Sequence, residues 1–401
     1  MLTNRQLFLM HLGQTSVAPM MLEIVRAEGV FMYGPDGKKY LDLISGVSVS
    51  NTGHRHPKVV EAVKKQVDLY MHLMVYGEII QSPQVKYAER LAGLLPPGLN
   101  SCYFVNSGSE AVEGALKLAK RFTGKSRIIS FKNSYHGSTH GALSIQGSEL
   151  YRNAFRPLLP NTFQIGFNDE KSLDAIDSRT ACVIVEPVQG EAGIIYPEND
   201  FLVKIRNRCN VTGTLLIFDE IQTGFGRLSH MFAIDRFGVV PDILLLAKAL
   251  GGGMPLGAFI SSGEIMSALV TNPSLGHITT FGGHPVCCAA GLASLNVIID
   301  DKLAESCNSK SALFKKELTH SLISKVRGEG LLMAVQLTDP SYIKYVIAHA
   351  PDHGLVLDYF LFCDNAFRIA PPLTISHKEI VLASELLKKL LDDAENNSNK
   401  K

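Results

Sequence analysis

The chain lacks an excess of charge of either sign: 39 Lys and Arg stand against 38 Asp and Glu, a formal net charge of +1. Its basic residues form no block beyond short pairs, which speaks against a nucleic acid as the main partner. It lacks an apolar run of membrane length, so no membrane association is expected. Its first ten residues, M-L-T-N-R-Q-L-F-L-M, lack the apolar core and small-residue cleavage site of a secretory leader, and a cytoplasmic protein is expected. The seven cysteines include no C-x-x-C pair, and two are adjacent, Cys287 and Cys288. That spacing suits neither a disulfide framework nor a zinc site, so no metal is expected and the thiols read as small apolar residues in a reduced compartment.

What is present is a soluble globular composition, 46% hydrophobic and 19% charged over 401 residues, long enough for two domains or one large domain with a satellite. Val25 to Leu43 reads as short strands and turns, with G-P-D-G at 34–37 a strong turn signal. Beyond about residue 58, apolar runs alternate with helical patterns. Three runs are continuously apolar, as strands buried on both faces are: A-C-V-I-V-E at 181–186, T-L-L-I-F-D at 214–219 and D-I-L-L-L-A-K at 242–248. They recur at the spacing of βαβ units, so their C-terminal ends share one sheet edge, where open α/β folds bind ligands. Those ends carry Glu186, Asp219 and Lys248. After about residue 300, V-R-G-E-G-L-L-M-A-V-Q-L and R-I-A-P-P-L read as strands of a separate α+β unit, and the polar tail D-D-A-E-N-N-S-N-K-K reads as frayed.

A lysine after an apolar run has two readings: a strand-end residue that extends its ammonium into water, or a desolvated amine held ready to condense with a carbonyl. The acidic neighbours at the same edge favour the second. A further strand, C-Y-F-V at 102–105, runs into N-S-G-S-E-A and a helical pattern through Ala111, Ala115, Leu118, Ala119 and Phe122. Such a strand-to-helix junction offers free N–H groups and the positive end of a helix dipole, which suits a phosphate, although an ordinary helix cap has the same composition. T-G-K-S at 123–126 is no P-loop, because the position that needs the first glycine is Ala119. G-G-G-M-P-L-G at 251–257 lacks the glycine spacing and the acidic ribose ligand of a dinucleotide site. A lysine, an aspartate and a phosphate cradle together fit pyridoxal phosphate, whose aldehyde needs an amine, whose ring nitrogen needs a carboxylate and whose phosphate needs donors.

Ordered motifs along nearly the whole chain resemble the class III aminotransferases: L-D-L-I-S-G-V-S-V-S-N-T-G-H-R-H-P, N-S-G-S-E-A, Y-H-G-S-T, E-P-V-Q-G-E-A-G, F-D-E-I-Q-T-G-F-G-R, P-D-I-L-L-L-A-K-A-L-G-G-G-M-P-L-G, T-T-F-G-G-H-P and R-I-A-P-P-L. The resemblance implies an α/β protein of the pyridoxal-phosphate transferase fold type I, with a large, mainly parallel-sheet domain at 50–295. The smaller α+β domain would be built from 1–49 and 296–401. It implies Lys248 as the Schiff-base lysine and proton carrier, and Asp219 as partner of the pyridinium nitrogen. Ser107, Gly108 and Ser109 would hold the phosphate, with Thr280 of a neighbouring subunit, hence a homodimer with shared sites. Ile221 and Tyr135 would flank the ring, Gln222 would lie near its oxygen, and His136 and Glu186 would belong to the same cofactor site. Arg368 would grip the α-carboxylate of glutamate, with Glu191 as a gate that neutralises Arg368 when the other substrate brings no carboxylate. The implied reaction is ping-pong transamination between an amino donor and a 2-oxo acid acceptor, 2-oxoglutarate.

Three positions depart from the ornithine and acetylornithine branches, which carry arginine at Ser138, tyrosine at Val47 in the ornithine enzymes, and asparagine at His284. His54 and His56 of H-R-H-P resemble a structural motif of the family. Two alternatives differ in what they need. An aminomutase would lack the pair Arg368 and Glu191, and a non-catalytic metabolite-binding relative would most simply have lost Lys248.

Overall fold

A seven-stranded sheet forms the centre of the computed structural model, which describes residues 2–398. Its strands run in the order Ser101–Val105, Gly257–Ser261, Ile243–Leu246, Leu215–Asp219, Thr180–Val185, Arg127–Phe131 and Thr162–Ile165. Every residue of the three apolar runs that enters a strand is buried, because helices cover both faces. Five neighbouring strands pair in parallel. Gly257–Ser261 is antiparallel to both of its neighbours. The link from Leu246 to Gly257 holds only a short 3₁₀ turn and a glycine-rich loop, too little for the crossover a parallel partner would require.

The expected turn at 34–37 joins Phe31–Tyr33 to Lys39–Asp42, closed by Gly37 N–H on the Gly34 carbonyl at 3.1 Å. Leu355–Val356 then pairs in parallel with Leu41 and Asp42, so segments from the two ends of the chain share one sheet. The two late motifs form an antiparallel sheet of Ile323–Glu329, Leu332–Leu337 and Ala366–Ile369. The helix Leu303–Glu317 packs on His377–Ser398.

One expectation is corrected. The tail from Asp392 is helical through Ser398 rather than frayed, because Leu387, Leu390, Leu391 and Ala394 supply a buried stripe that holds the last turns; residues 399–401 lie outside the described residues. Phe122 belongs to the helix Gly108–Thr123 but is 39% exposed in its last turn, while Ala111, Ala115, Leu118 and Ala119 are buried. Among the described residues no helix is long and apolar enough to cross a membrane.

Candidate active site

The sheet edge predicted from the apolar runs is where the chemistry collects. Asp219 is the last residue of its strand, Glu186 follows Val185 directly, and Lys248 stands two residues beyond Leu246, at the start of the turn Lys248–Gly251. Lys248 has φ +52°, a left-handed conformation that costs a non-glycine residue free energy and is held only where the surroundings fix it. A cavity of about 360 Å³ opens there. Ser107, Gly108, Ser109, Tyr135, His136, Glu186, Glu191, Asp219, Ile221, Gln222 and Lys248 all line it.

Two predicted residues stand apart. Thr280 is exposed and does not line the cavity. Arg368 lies behind the cavity wall, 1% exposed, and donates from Nη2 to Glu191 Oε1 at 2.6 Å. Glu191 is fixed further by the Leu361 N–H on its Oε2 at 3.1 Å and by the Phe362 N–H on its carbonyl. The departures fall as follows. Val49, not Val47, lines the cavity. Ser138 Oγ lies 3.2 Å from Tyr135 Oη. His284 stands at the N-terminal boundary of the helix Pro285–Asp300, without a side-chain bond to it, and stacks on His72, 5.5 Å between ring centroids. Of the H-R-H-P pair, His54 Nε2 lies 2.8 Å from Asp42 Oδ2 at the end of the strand Lys39–Asp42, while His56 precedes the helix Pro57–Leu69.

The internal bonds explain how the edge is held. His136 Nδ1 lies 2.7 Å from Asp219 Oδ2, and Asp219 Oδ1 accepts the Ile221 N–H at 3.1 Å. Both oxygens of Glu186 are taken by backbone, from Tyr135 and Gly190 at 2.9 Å each, so this residue ties two loops of the wall together. Burial pushes its carboxyl up to about 7, with His136 opposing the shift and Asp219 adding to it. Burial likewise lowers the Lys248 amine from its ordinary value; Glu191 opposes this, Arg368 adds to it, and Asp219 and Glu186 oppose it. A lowered amine is neutral more often, which is what a nucleophile or proton acceptor requires.

The residues present fit a phosphorylated aromatic cofactor. The cavity meets the N-terminus of the sixteen-residue helix Gly108–Thr123, where a Cβ on Gly108 would come within 2.9 Å of Ile221 Cδ1. A Cβ on Gly137 would run into Ser109 Oγ. Buried Gln222 Nε2 and His136 Nε2 have no hydrogen-bond partner among the described residues. Ser107 Oγ accepts the Glu110 N–H at 3.2 Å as the helix cap, so the hydroxyl expected for phosphate also carries the ordinary capping role.

Three charged residues around the site, Glu220, Arg227 and Asp358, are not assigned a role by the sequence. Glu220, beside Asp219, caps the helix Ala233–Phe237 by accepting from Ala233 at 2.5 Å and Ile234 at 3.0 Å. Arg227 closes the quoted F-D-E-I-Q-T-G-F-G-R motif and is fully buried, donating to the carbonyls of Leu331 at 2.9 Å and Pro371 at 2.5 Å, to Ser45 Oγ at 3.2 Å and to Asn51 Oδ1. The motif marked both, but one chain position does not tell which carboxylate or guanidinium turns away from the site. Asp358, near Arg368, carries no such mark.

The fold and the lysine-centred site are those of a pyridoxal-phosphate-dependent transferase of fold type I, and comparison narrows the class. The family model for class III aminotransferases matches residues 12–391. The chain is 40% identical over 375 residues to an acetylornithine aminotransferase of Methanopyrus kandleri, covering 92% of this chain and 94% of that one. It is 41% identical over 376 residues to one of Methanocaldococcus jannaschii, covering 89% and 90%. Among solved structures, the ornithine aminotransferase of Toxoplasma gondii superposes with a TM-score of 0.89 at 28% identity, covering 99% and 97%. A transaminase from the marine bacterium Virgibacillus superposes with a TM-score of 0.92 at 26% identity, covering 98% and 99%. The chain belongs to the class III aminotransferases. It is an enzyme whose cofactor is pyridoxal 5′-phosphate.

Proposed function

We propose that the protein moves an amino group from an amino acid or ω-amine donor to 2-oxoglutarate in two half-reactions that share one pocket. The observation that carries this reading is the buried pair of Arg368 and Glu191, 2.6 Å apart, with Glu191 on the cavity wall and Arg368 behind it. A guanidinium held by a displaceable carboxylate can receive the α-carboxylate of glutamate when Glu191 leaves, and stays neutralised when a donor brings no such group. An aminomutase has no need of that exchange.

Pyridoxal phosphate supplies a carbonyl that condenses with amines and a ring that takes up the electron pair of a broken C–H bond. In this reading Asp219 keeps the ring nitrogen protonated, with His136 and the Ile221 N–H orienting its carboxylate. Ser107, Gly108 and Ser109 would hold the phosphate at the helix N-terminus, Ile221 and Tyr135 would flank the ring, and Gln222, whose amide Nε2 has no partner among the described residues, would lie near the ring oxygen. Lys248 Nζ, neutral in part because burial lowers its pKa, accepts the proton from the substrate carbon and returns it to a neighbouring atom.

The working unit is proposed to be a homodimer in the cytoplasm, with residues 50–295 as the cofactor domain and 1–49 with 296–401 as the smaller one. The dimer is supported by exposed apolar side chains at Leu69, Met71, Leu73, Leu275, Ile278 and Phe281. They lie on segments joined where His72 meets Phe281 at 4.8 Å, beside exposed Thr280. Thr280 would then reach the partner's phosphate. The donor is proposed as a class, an amino acid or ω-amine, because Ser138 stands where the resemblance to the ornithine and acetylornithine branches implies an arginine.

The test is a panel of donors (N-acetylornithine, ornithine, 4-aminobutyrate and simple amines) assayed with 2-oxoglutarate, with borohydride fixation of the cofactor and peptide mapping. Label on Lys248 and glutamate formed from at least one donor are expected. Label elsewhere, or no transfer to any 2-oxo acid, would overturn the reading. A fully active monomer at assay concentration would overturn the shared site alone.

A further inference from the structure

A second carboxylate stands beside Arg368. The Arg368 backbone N–H donates to the Asp358 carbonyl at 3.1 Å, and an antiparallel bridge between Tyr359 and Phe367 closes the segment between them. The two side chains are thereby held alongside, with Arg368 Nε 3.7 Å from Asp358 Oδ1. That is an ion-pair contact rather than a hydrogen bond. Arg368 Nε and Nη1 and Asp358 Oδ1 have no hydrogen-bond partner among the described residues. Glu191 holds Nη2, and the Phe360 ring lies 4.8 Å from the guanidinium carbon. Asp358 does not line the cavity, so any effect it has on substrate passes through Arg368.

We propose that Asp358 is a specificity-determining positioning residue. It stays at the Nε edge of Arg368 in both half-reactions, leaves Nη1 and Nη2 as the edge where a substrate carboxylate docks, and weakens that docking by its own charge. The proposal rests on the reading of Arg368 as the carboxylate site. With Asp358 in place, a carboxylate that displaces Glu191 meets a guanidinium already partly neutralised, so a dicarboxylate is held less tightly and gives way more easily to a donor without that group.

The charged groups facing Asp358 are Arg368, Glu191, Asp42 and Lys248. A quarter of the side chain is accessible, yet the surrounding protein pushes its carboxyl up to about 6. Burial is the main cause; Arg368 and Lys248 oppose it, and Glu191 and Asp42 add to it. The penalty on carboxylate docking therefore grows as pH rises through about 6.

The test compares holoenzyme of wild type, Asp358→Asn and Arg368→Ala by calorimetric titration with glutarate, which has both carboxylates but nothing to react. KM and kcat for glutamate and for the amine donor are measured alongside. At about pH 8, Asp358→Asn should bind glutarate about fivefold more tightly and lower the glutamate KM to match, with kcat and the donor KM nearly unchanged. The difference from wild type should shrink towards about pH 5 as the wild-type carboxyl takes up its proton. Equal glutarate affinity of wild type and Asp358→Asn at both pH values would overturn the proposal, as would a variant that loses glutarate and donor alike with a lower melting point. Unchanged glutarate binding in Arg368→Ala would remove the parent reading as well, whatever Asp358→Asn does.

Discussion

His136 Nδ1 and Asp219 Oδ2 lie 2.7 Å apart with both side chains buried, so the carboxylate at the end of the central strand is oriented by a ring from the neighbouring loop. Removing that bond should loosen the hold proposed for Asp219 on the cofactor's ring nitrogen. His136→Phe is expected to cost about 1.5–3 kcal/mol in cofactor binding, the usual worth of a hydrogen bond to a charged group. Absorbance titration of the apoenzyme with pyridoxal phosphate measures it, and an unchanged dissociation constant would mean that His136 only fills space.

Lys248→Ala should abolish turnover without lowering the melting point. The amine is held where burial disfavours its charge, so its loss relieves a cost to folding while removing the group proposed to carry the proton. A clear drop in the melting point would assign Lys248 a structural role as well.

The proposed gate makes opposite demands on its two members. Glu191→Ala should speed the glutamate half-reaction and slow the one with the other donor, whereas Arg368→Ala should weaken the glutamate half-reaction by about 2–5 kcal/mol in transition-state stabilisation. Single-turnover rates separate the two. Equal slowing of both by Glu191→Ala would leave Glu191 as a tether for the segment at Leu361 and no more.

Glu220 should leave its mark on stability rather than on turnover. Burial pushes its carboxyl up to about 7, above the ordinary glutamate value, so the folded protein binds this proton more tightly than the unfolded chain does. The stability it contributes is fully present below the unfolded pKa and is lost as pH rises through about 7. Relative to wild type, the melting point of Glu220→Gln should therefore rise between about pH 5 and pH 8. A constant difference across that window would contradict the shift.

Arg227→Met should destabilise the fold by about 3–5 kcal/mol, since it leaves Ser45, Asn51 and the carbonyls of Leu331 and Pro371 buried without their shared donor. Denaturant unfolding followed at equilibrium checks this. A loss within about 0.5 kcal/mol, the range of an ordinary surface substitution, would show that the clip is dispensable.

Local pattern alone determined the parallel core and the sheet edge, because a strand buried on both faces must be apolar throughout and its first polar residue marks its end. Asp219 was legible in that way, Glu186 lay one residue beyond its strand, and Lys248 two beyond. The strand-to-helix junction at Ser107 was legible because a helix start needs small capping residues next to an apolar periodicity. Tertiary structure decided what no spacing encodes. Hydrogen bonds between distant segments set Glu220 facing a helix end while its neighbour Asp219 faces the cavity. They made Arg227 a clip between segments more than a hundred residues apart, and they brought Asp358 beside Arg368 by closing the segment between them. The reversed direction of Gly257–Ser261 also followed from three dimensions, since the reach of the preceding loop, not the apolar pattern of the strand, fixes which way it can pair. Periodicity records which side of an element is buried; the partner that buries it is a property of the folded chain.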